Sequence, residues 1–147
     1  MKLVVRTQVE QPLPQVWAGF DQRLFDQLNP PFPPVRVVRF DGSQKGNVVH
    51  IELNFLFFRQ DWISLITDQQ ETDKEIFFID TGNKLPFFLS FWQHKHRLLR
   101  QGHQTIIADE VTYKTPGGWL MDWLFYPILW AQFVYRKPIY KRYFAAK

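Results

Sequence analysis

Residues 90–114 read SFWQHKHRLLRQGHQTIIADEVTYK. A strand sends successive side chains to opposite faces, and this stretch alternates on both sides of Gly102. Before it, Trp92, His94, His96 and Leu98 share one face, while Gln93, Lys95 and Arg97 share the other. The charged set belongs in solvent, so the histidines turn inward with the tryptophan. After it, Thr105, Ile107, Asp109, Val111 and Tyr113 form the matching inward set. Two such runs around a short glycine-containing break predict an antiparallel hairpin. With Gln101–Gly102 as the turn, His94 stands across from Asp109 and His96 across from Ile107. A slip of two moves Asp109 across from His96, and parity keeps all three on one face either way. His103 falls near the hairpin tip.

Working outward, residues 2–9 alternate as a strand, and apolar Val16, Phe20, Leu24 and Leu28 follow at helical spacing. Gly19–Asp21 divides that segment into two short helices, and the prolines of PPFPP end it. Period-two patterning predicts further strands at 35–40, 46–55, 60–68 and 75–81, before the hairpin strands at 91–100 and 104–113. After TPGG comes one apolar segment, 118 to about 144, at helical spacing, interrupted by Pro127 and Pro138. The expected fold is therefore α+β and confined to one domain over residues 1–147. A seven-stranded antiparallel curved sheet, with two short helices, grips a long C-terminal helix.

Composition narrows the function classes. Fifteen Phe and six Trp in 147 residues exceed what an average core needs, so the rings either fill one large core or line a cavity. The net charge of +4 is modest, and the basic residues are scattered except near the C-terminus (Arg136, Lys137, Lys141, Arg142, Lys147). Nucleic acid is not the expected partner. The absence of cysteine removes disulfides, thiolate chemistry and Cys-ligated zinc. The N-terminal stretch lacks the continuous apolar run of a signal peptide, so the expected location is cytoplasmic. The long helix is apolar nearly all round, yet it is short for a span and carries Asp122 and Gln132, which speaks against a transmembrane segment.

Three stretches carry a resemblance. FFIDTGNKLPFFLSFWQHKHRLL (77–99), TIIADEVTYKTPGG (105–118) and QFVYRKPIY (132–140) resemble a succession found in bacterial members of the START-like, helix-grip (SRPBCC) superfamily. That succession runs Asp, Gly-Pro-Phe, Trp-x-His-x-His, Asp-Glu-Val-x-Tyr and Phe-x-Tyr-Arg; here Gly-Pro-Phe is stretched to GNKLPFF. The superfamily includes polyketide cyclases and lipid-transfer domains. The resemblance implies a hydrophobic cavity between sheet and long helix.

The expected function is binding or carrying of a small hydrophobic molecule there, without a cofactor. Candidate ligand contacts are Trp62, Phe78, Trp92, His94, His96, Ile107, Asp109, Tyr113, Trp123, Trp130 and Phe133. His94 with Asp109 reads as a buried pair that satisfies itself, as a polar ligand anchor, or as the base and orienter of a cyclase- or dehydratase-like enzyme. A module with a closed core that binds another protein is the third alternative. No metal is expected, because the partners available to His94 and His96, namely Asp109, His50 or Glu52, complete no recognisable ligand spacing. On a helical wheel Trp119, Trp123, Tyr126, Trp130, Phe133, Lys137, Tyr140 and Phe144 form one stripe, expected to face the sheet. Asp122, Gln132 and Arg136 mark a narrow polar wedge. The remaining aliphatic side, with rings near FLFF and LPFF, suits a homodimer or a transient contact with a membrane surface.

Overall fold

Strand β1 (Lys2–Val9) follows from its alternation, with Leu3, Val5, Thr7 and Val9 buried and the residues between them exposed. Helices α1 (Leu13–Ala18) and α2 (Gln22–Gln27) follow. Asp21 caps α2 by accepting from the Leu24 amide at 3.1 Å, which satisfies a donor the helix itself leaves unpaired. The chain then forms β2 (Val35–Phe40), β3 (Val48–Asn54), β4 (Arg59–Glu71), β5 (Glu75–Lys84), β6 (Phe91–Gln101) and β7 (Gln104–Lys114). The long helix α3 (Gly118–Tyr143) closes the fold and runs through both Pro127 and Pro138. This computed structural model describes residues 1–146; Lys147, of the basic C-terminal group, lies outside the described residues.

The seven strands form one antiparallel sheet in the order β1-β7-β6-β5-β4-β3-β2. Helix α3 packs over β1 and β7, and α1 packs under its C-terminal half against β5, β6 and β7. Two buried clusters result. One joins Leu13, Val16 and Leu24 to Leu98, Ile107, Tyr140 and Phe144. The other joins Leu3 and Val5 to Trp92, Val111, Tyr113, Leu129 and Phe133.

Two expectations are corrected. The hairpin turn lies one residue later than the expected Gln101–Gly102: Gln101 pairs with Gln104, and Gly102–His103 make the turn. Gly102 has φ 62°, a left-handed value that glycine adopts without steric cost. A two-residue turn with only its first residue at positive φ places the glycine first. The strands therefore pair two positions away from the expected register, and Asp109 stands across from His96.

The second correction concerns α3. Of the expected inward stripe, Phe133, Tyr140 and Phe144 are buried, but Trp119, Trp123 and Trp130 are 74%, 61% and 49% exposed. Leu129, from outside that stripe, joins Phe133 in facing the sheet, and Gln132 and Arg136 face the space beneath the helix. A helix that is apolar on most sides has no preferred inward face, so the groove beneath it decides its rotation. Among the described residues no helix is long and apolar enough to cross a membrane.

Candidate functional site

A cavity of about 440 Å³ lies between the sheet, α2 and α3, within the usual range for small-molecule sites. Alternation builds its walls. The inward residues of β3 and β4 present Ile51, Leu53, Trp62 and Ile66, and α3 supplies Phe125, Leu129 and Phe133. Trp62 and Trp92 meet edge to face at 4.8 Å, and Phe78 stacks on the His96 ring at 4.1 Å. Polar side chains gather mainly where Asp80, His94, His96, Gln132 and Arg136 converge.

The histidines and carboxylates form one buried array. His94 Nε2 donates to Asp109 Oδ1 at 2.9 Å, and His96 Nε2 donates to Asp80 Oδ2 at 2.8 Å. Trp92 Nε1 donates to Asp80 Oδ1 at 3.1 Å. His94 Nδ1 lies 3.6 Å from Asp80 Oδ2, and His96 Nδ1 lies 3.7 Å from Asp109 Oδ1. Burial pushes the Asp109 carboxyl up, but the His94 bond, the Arg136 charge and the electrostatic pull of the two imidazoles outweigh it and hold it below the usual value. Asp80 behaves alike: burial is outweighed by the His96 bond, the two imidazoles and Trp92. Both are thus kept as carboxylates, as buried acids with enough donors can be. Burial, reinforced by repulsion from His94, depresses His96 to about 4. His96 is therefore neutral at pH 7, its proton on Nε2 facing Asp80. Its Nδ1 and the Tyr140 hydroxyl are buried without a hydrogen-bond partner.

Asp80, His94 and His96 bring possible metal-ligating atoms within 4.8 Å of one another. The third donor is thus Asp80, not Asp109, His50 or Glu52; His50 is on the other face of the sheet, bonded to Asp61 at 3.0 Å. The donor types suit zinc or iron, but the placement does not. The two imidazoles lie nearly face to face, centroids 3.5 Å apart and planes 32° apart, so their in-plane lone pairs do not converge on a point.

Of the residues singled out from the sequence, Trp62, Phe78, Trp92, His94, His96 and Phe133 line the cavity. Ile107, Asp109, Tyr113, Trp123 and Trp130 do not. Asp109 sits behind His94, and Ile107 belongs to the core cluster under α1. Tyr113 spends its hydroxyl on the Asp122 carbonyl at 2.7 Å, tying the sheet to the start of α3. Trp123 and Trp130 point outward for the reason given for the helix. Among the lining residues not singled out from the sequence are Asp80, Gln132 and Arg136. Asp80 was legible, since it shares parity with Ile76 and Phe78 on β5. Arg136 and Gln132 mark only a polar wedge in the sequence, and nothing in the helical pattern says that this wedge turns toward the cavity.

No family model and no curated protein matches the chain. Solved structures do. Protein Ms6760 from Mycobacterium smegmatis superposes with TM-score 0.70 at 15% identity over 99% of this chain and 91% of that one. Norcoclaurine synthase from Thalictrum flavum, in complex with dopamine and hydroxybenzaldehyde, gives 0.60 at 9% identity over 87% and 76%. The Zhui aromatase/cyclase from a Streptomyces species gives 0.51 at 14% identity over 80% and 70%. The chain has the helix-grip, START-like fold these structures share.

Proposed function

We propose that the protein binds and carries a small molecule with an apolar body and an oxygen-bearing polar end, held in the cavity between sheet and α3. The observation that carries this reading is the asymmetry of the wall, apolar over most of its area and polar where Asp80, His94, His96 and Arg136 meet. Arg136 supports the polar end in particular. Its guanidinium lies 4.5 Å above the Phe133 ring and 4.0 Å from Asp109 Oδ1, beside the Tyr140 hydroxyl. A largely buried guanidinium has five donors to satisfy, and a ligand carbonyl or carboxylate oxygen suits them. The Thalictrum flavum enzyme offers a parallel, since it holds small aromatic molecules.

The runner-up is a cyclase- or dehydratase-like enzyme, with His94 oriented by Asp109 as base. The likeness to an aromatase/cyclase favours it. The imidazoles weigh against it: both nitrogens of His94 face carboxylates, and His96 turns Nε2 onto Asp80. A general base needs a nitrogen within reach of the substrate proton; His94 offers none without breaking the array, and the one unpartnered nitrogen, His96 Nδ1, is fully buried. A closed-core interaction module is disfavoured by the cavity itself.

The test is displacement of a hydrophobic fluorescent probe. One probe should bind saturably with an affinity of about 1 μM and be displaced by aliphatic or aromatic acids. Native mass spectrometry of freshly purified protein should show a bound small molecule. Absence of saturable binding overturns the reading.

A further inference from the structure

Three apolar stretches meet at the mouth of the cavity: the turn 55–58 (FLFF), the loop 85–88 (LPFF) and the first turns of α3. Their rings touch in series. Phe58 meets Phe87 at 5.6 Å, Phe87 meets Phe88 at 5.3 Å, and Phe88 meets Phe125 of α3 at 5.4 Å. From Phe125 the apolar surface continues around the outer side of the helix through Ile128, Leu124 and Leu120 to Trp123 and Trp119, all exposed. Phe57, at the tip of the first turn, is 95% exposed. An apolar face of this extent is not ordinary surface, and a fully projecting phenylalanine suits insertion into a soft medium better than contact with a flat partner.

The charges around this face say what covers it. Between residues 115 and 135 only Asp122 is charged, and its carboxylate is turned back to accept from the Thr115 amide and hydroxyl, both at 2.7 Å. Each apolar stretch is bordered in sequence by a base: Arg59 after FLFF, Lys84 before LPFF, Lys114 before α3. Arg59 and Lys84 are themselves exposed and hold only loose partners, Glu52 at 3.7 Å and Asp61 at 3.4 Å, and such pairs yield readily to a stronger field. Aromatic tips with basic shoulders match an anionic bilayer, whose interface takes Trp and Phe and whose headgroups attract Lys and Arg. A second copy fits less well, because a two-fold contact sets the same patch against itself and brings like bases together.

We propose that this face docks on an anionic lipid bilayer, with the 55–58 turn and the outer side of α3 entering the interface and the cavity mouth held against it. Docking does not depend on the cavity being filled. The test is co-sedimentation of the full chain with vesicles of phosphatidylcholine alone or mixed with phosphatidylglycerol. Tryptophan emission is followed in parallel, and fluorescent-probe binding is measured without vesicles. Binding should appear with the anionic vesicles and weaken with added salt. It should fall by about tenfold or more in both Phe57→Asp and Leu124→Asp, neither of which lines the cavity. Probe binding should be unchanged in both variants, which separates docking from the ligand reading. Wild-type protein that stays in the supernatant with both vesicles overturns the proposal. So does binding that survives both substitutions, or a dimer in sedimentation that the same substitutions dissociate while vesicle binding is absent.

Discussion

His94 bonds to Asp109 at 2.9 Å although the two residues are not cross-strand partners. Asp109 stands opposite His96, whose Nε2 turns to Asp80 on the neighbouring strand. Each imidazole thus serves one carboxylate directly and approaches the other at 3.6 or 3.7 Å. Together they lock β5, β6 and β7 beneath the cavity.

This coupling predicts the outcome of a mutant cycle. Asp109→Asn and His94→Gln should each cost on the order of 1–3 kcal/mol, because each strands a buried partner. Replacing both with apolar residues of similar size should recover much of the loss. Urea denaturation gives the stabilities and probe titration the affinities. A double mutant that is stable and binds as wild type would assign the pair to structure alone; stable protein with lost affinity would make it an anchor.

Burial of neutral His96 predicts a pH dependence. Its folded-state value, about 4, lies below the unfolded 6.5, so the unfolded chain binds the extra proton between these limits. Stability is then fully present above pH 6.5 and declines as pH falls toward 4, by up to roughly 3 kcal/mol. Asp80 and Asp109, held below 3.8, withdraw their own contributions as they are protonated at still lower pH. His96→Phe should flatten the upper part of this profile; an unchanged slope between pH 6.5 and 4 would refute the assignment.

Arg136 should select ligands by their polar end. Arg136→Met is expected to weaken a carboxylate-bearing competitor by about tenfold or more, the scale of one charge-assisted hydrogen bond. A purely apolar probe should be affected much less. Equal losses for both would mean that the substitution had reshaped the cavity rather than removed a donor.

A buried tryptophan of β6 and an exposed one of α3 give a contrast. Trp92→Ala removes a buried ring that meets Trp62 and Phe133 and should cost about 3–5 kcal/mol and weaken probe binding. Trp130→Ala, on the exposed side, should change stability by about 0.5 kcal/mol or less and leave the probe affinity alone. Thermal melts with parallel probe titrations separate the cases.

The closely apposed imidazoles predict the response to metal. Purified protein should carry no stoichiometric zinc or iron, and a chelator should leave its melting temperature unchanged. One equivalent of metal, lost together with stability in His94→Ala, would show that the rings rotate apart to ligate.

Local pattern alone determined much of this protein. Strand parity put Trp92, His94, His96 and Asp109 on one face, because the side-chain period of a strand is a covalent property that survives any tertiary arrangement. Element order and the antiparallel sheet followed from short turns, and the same parity, applied to β5, also held Asp80. Three things waited for the tertiary structure. The register of the last hairpin depended on which turn position Gly102 takes, a choice parity cannot make. The pairing of two histidines with two carboxylates depended on side-chain reach across three strands. The rotation of α3 was open because a helix apolar on nearly every side gains about as much from burying one face as another. Only the shape of the groove turned Arg136 toward the cavity and left Trp119, Trp123 and Trp130 facing outward.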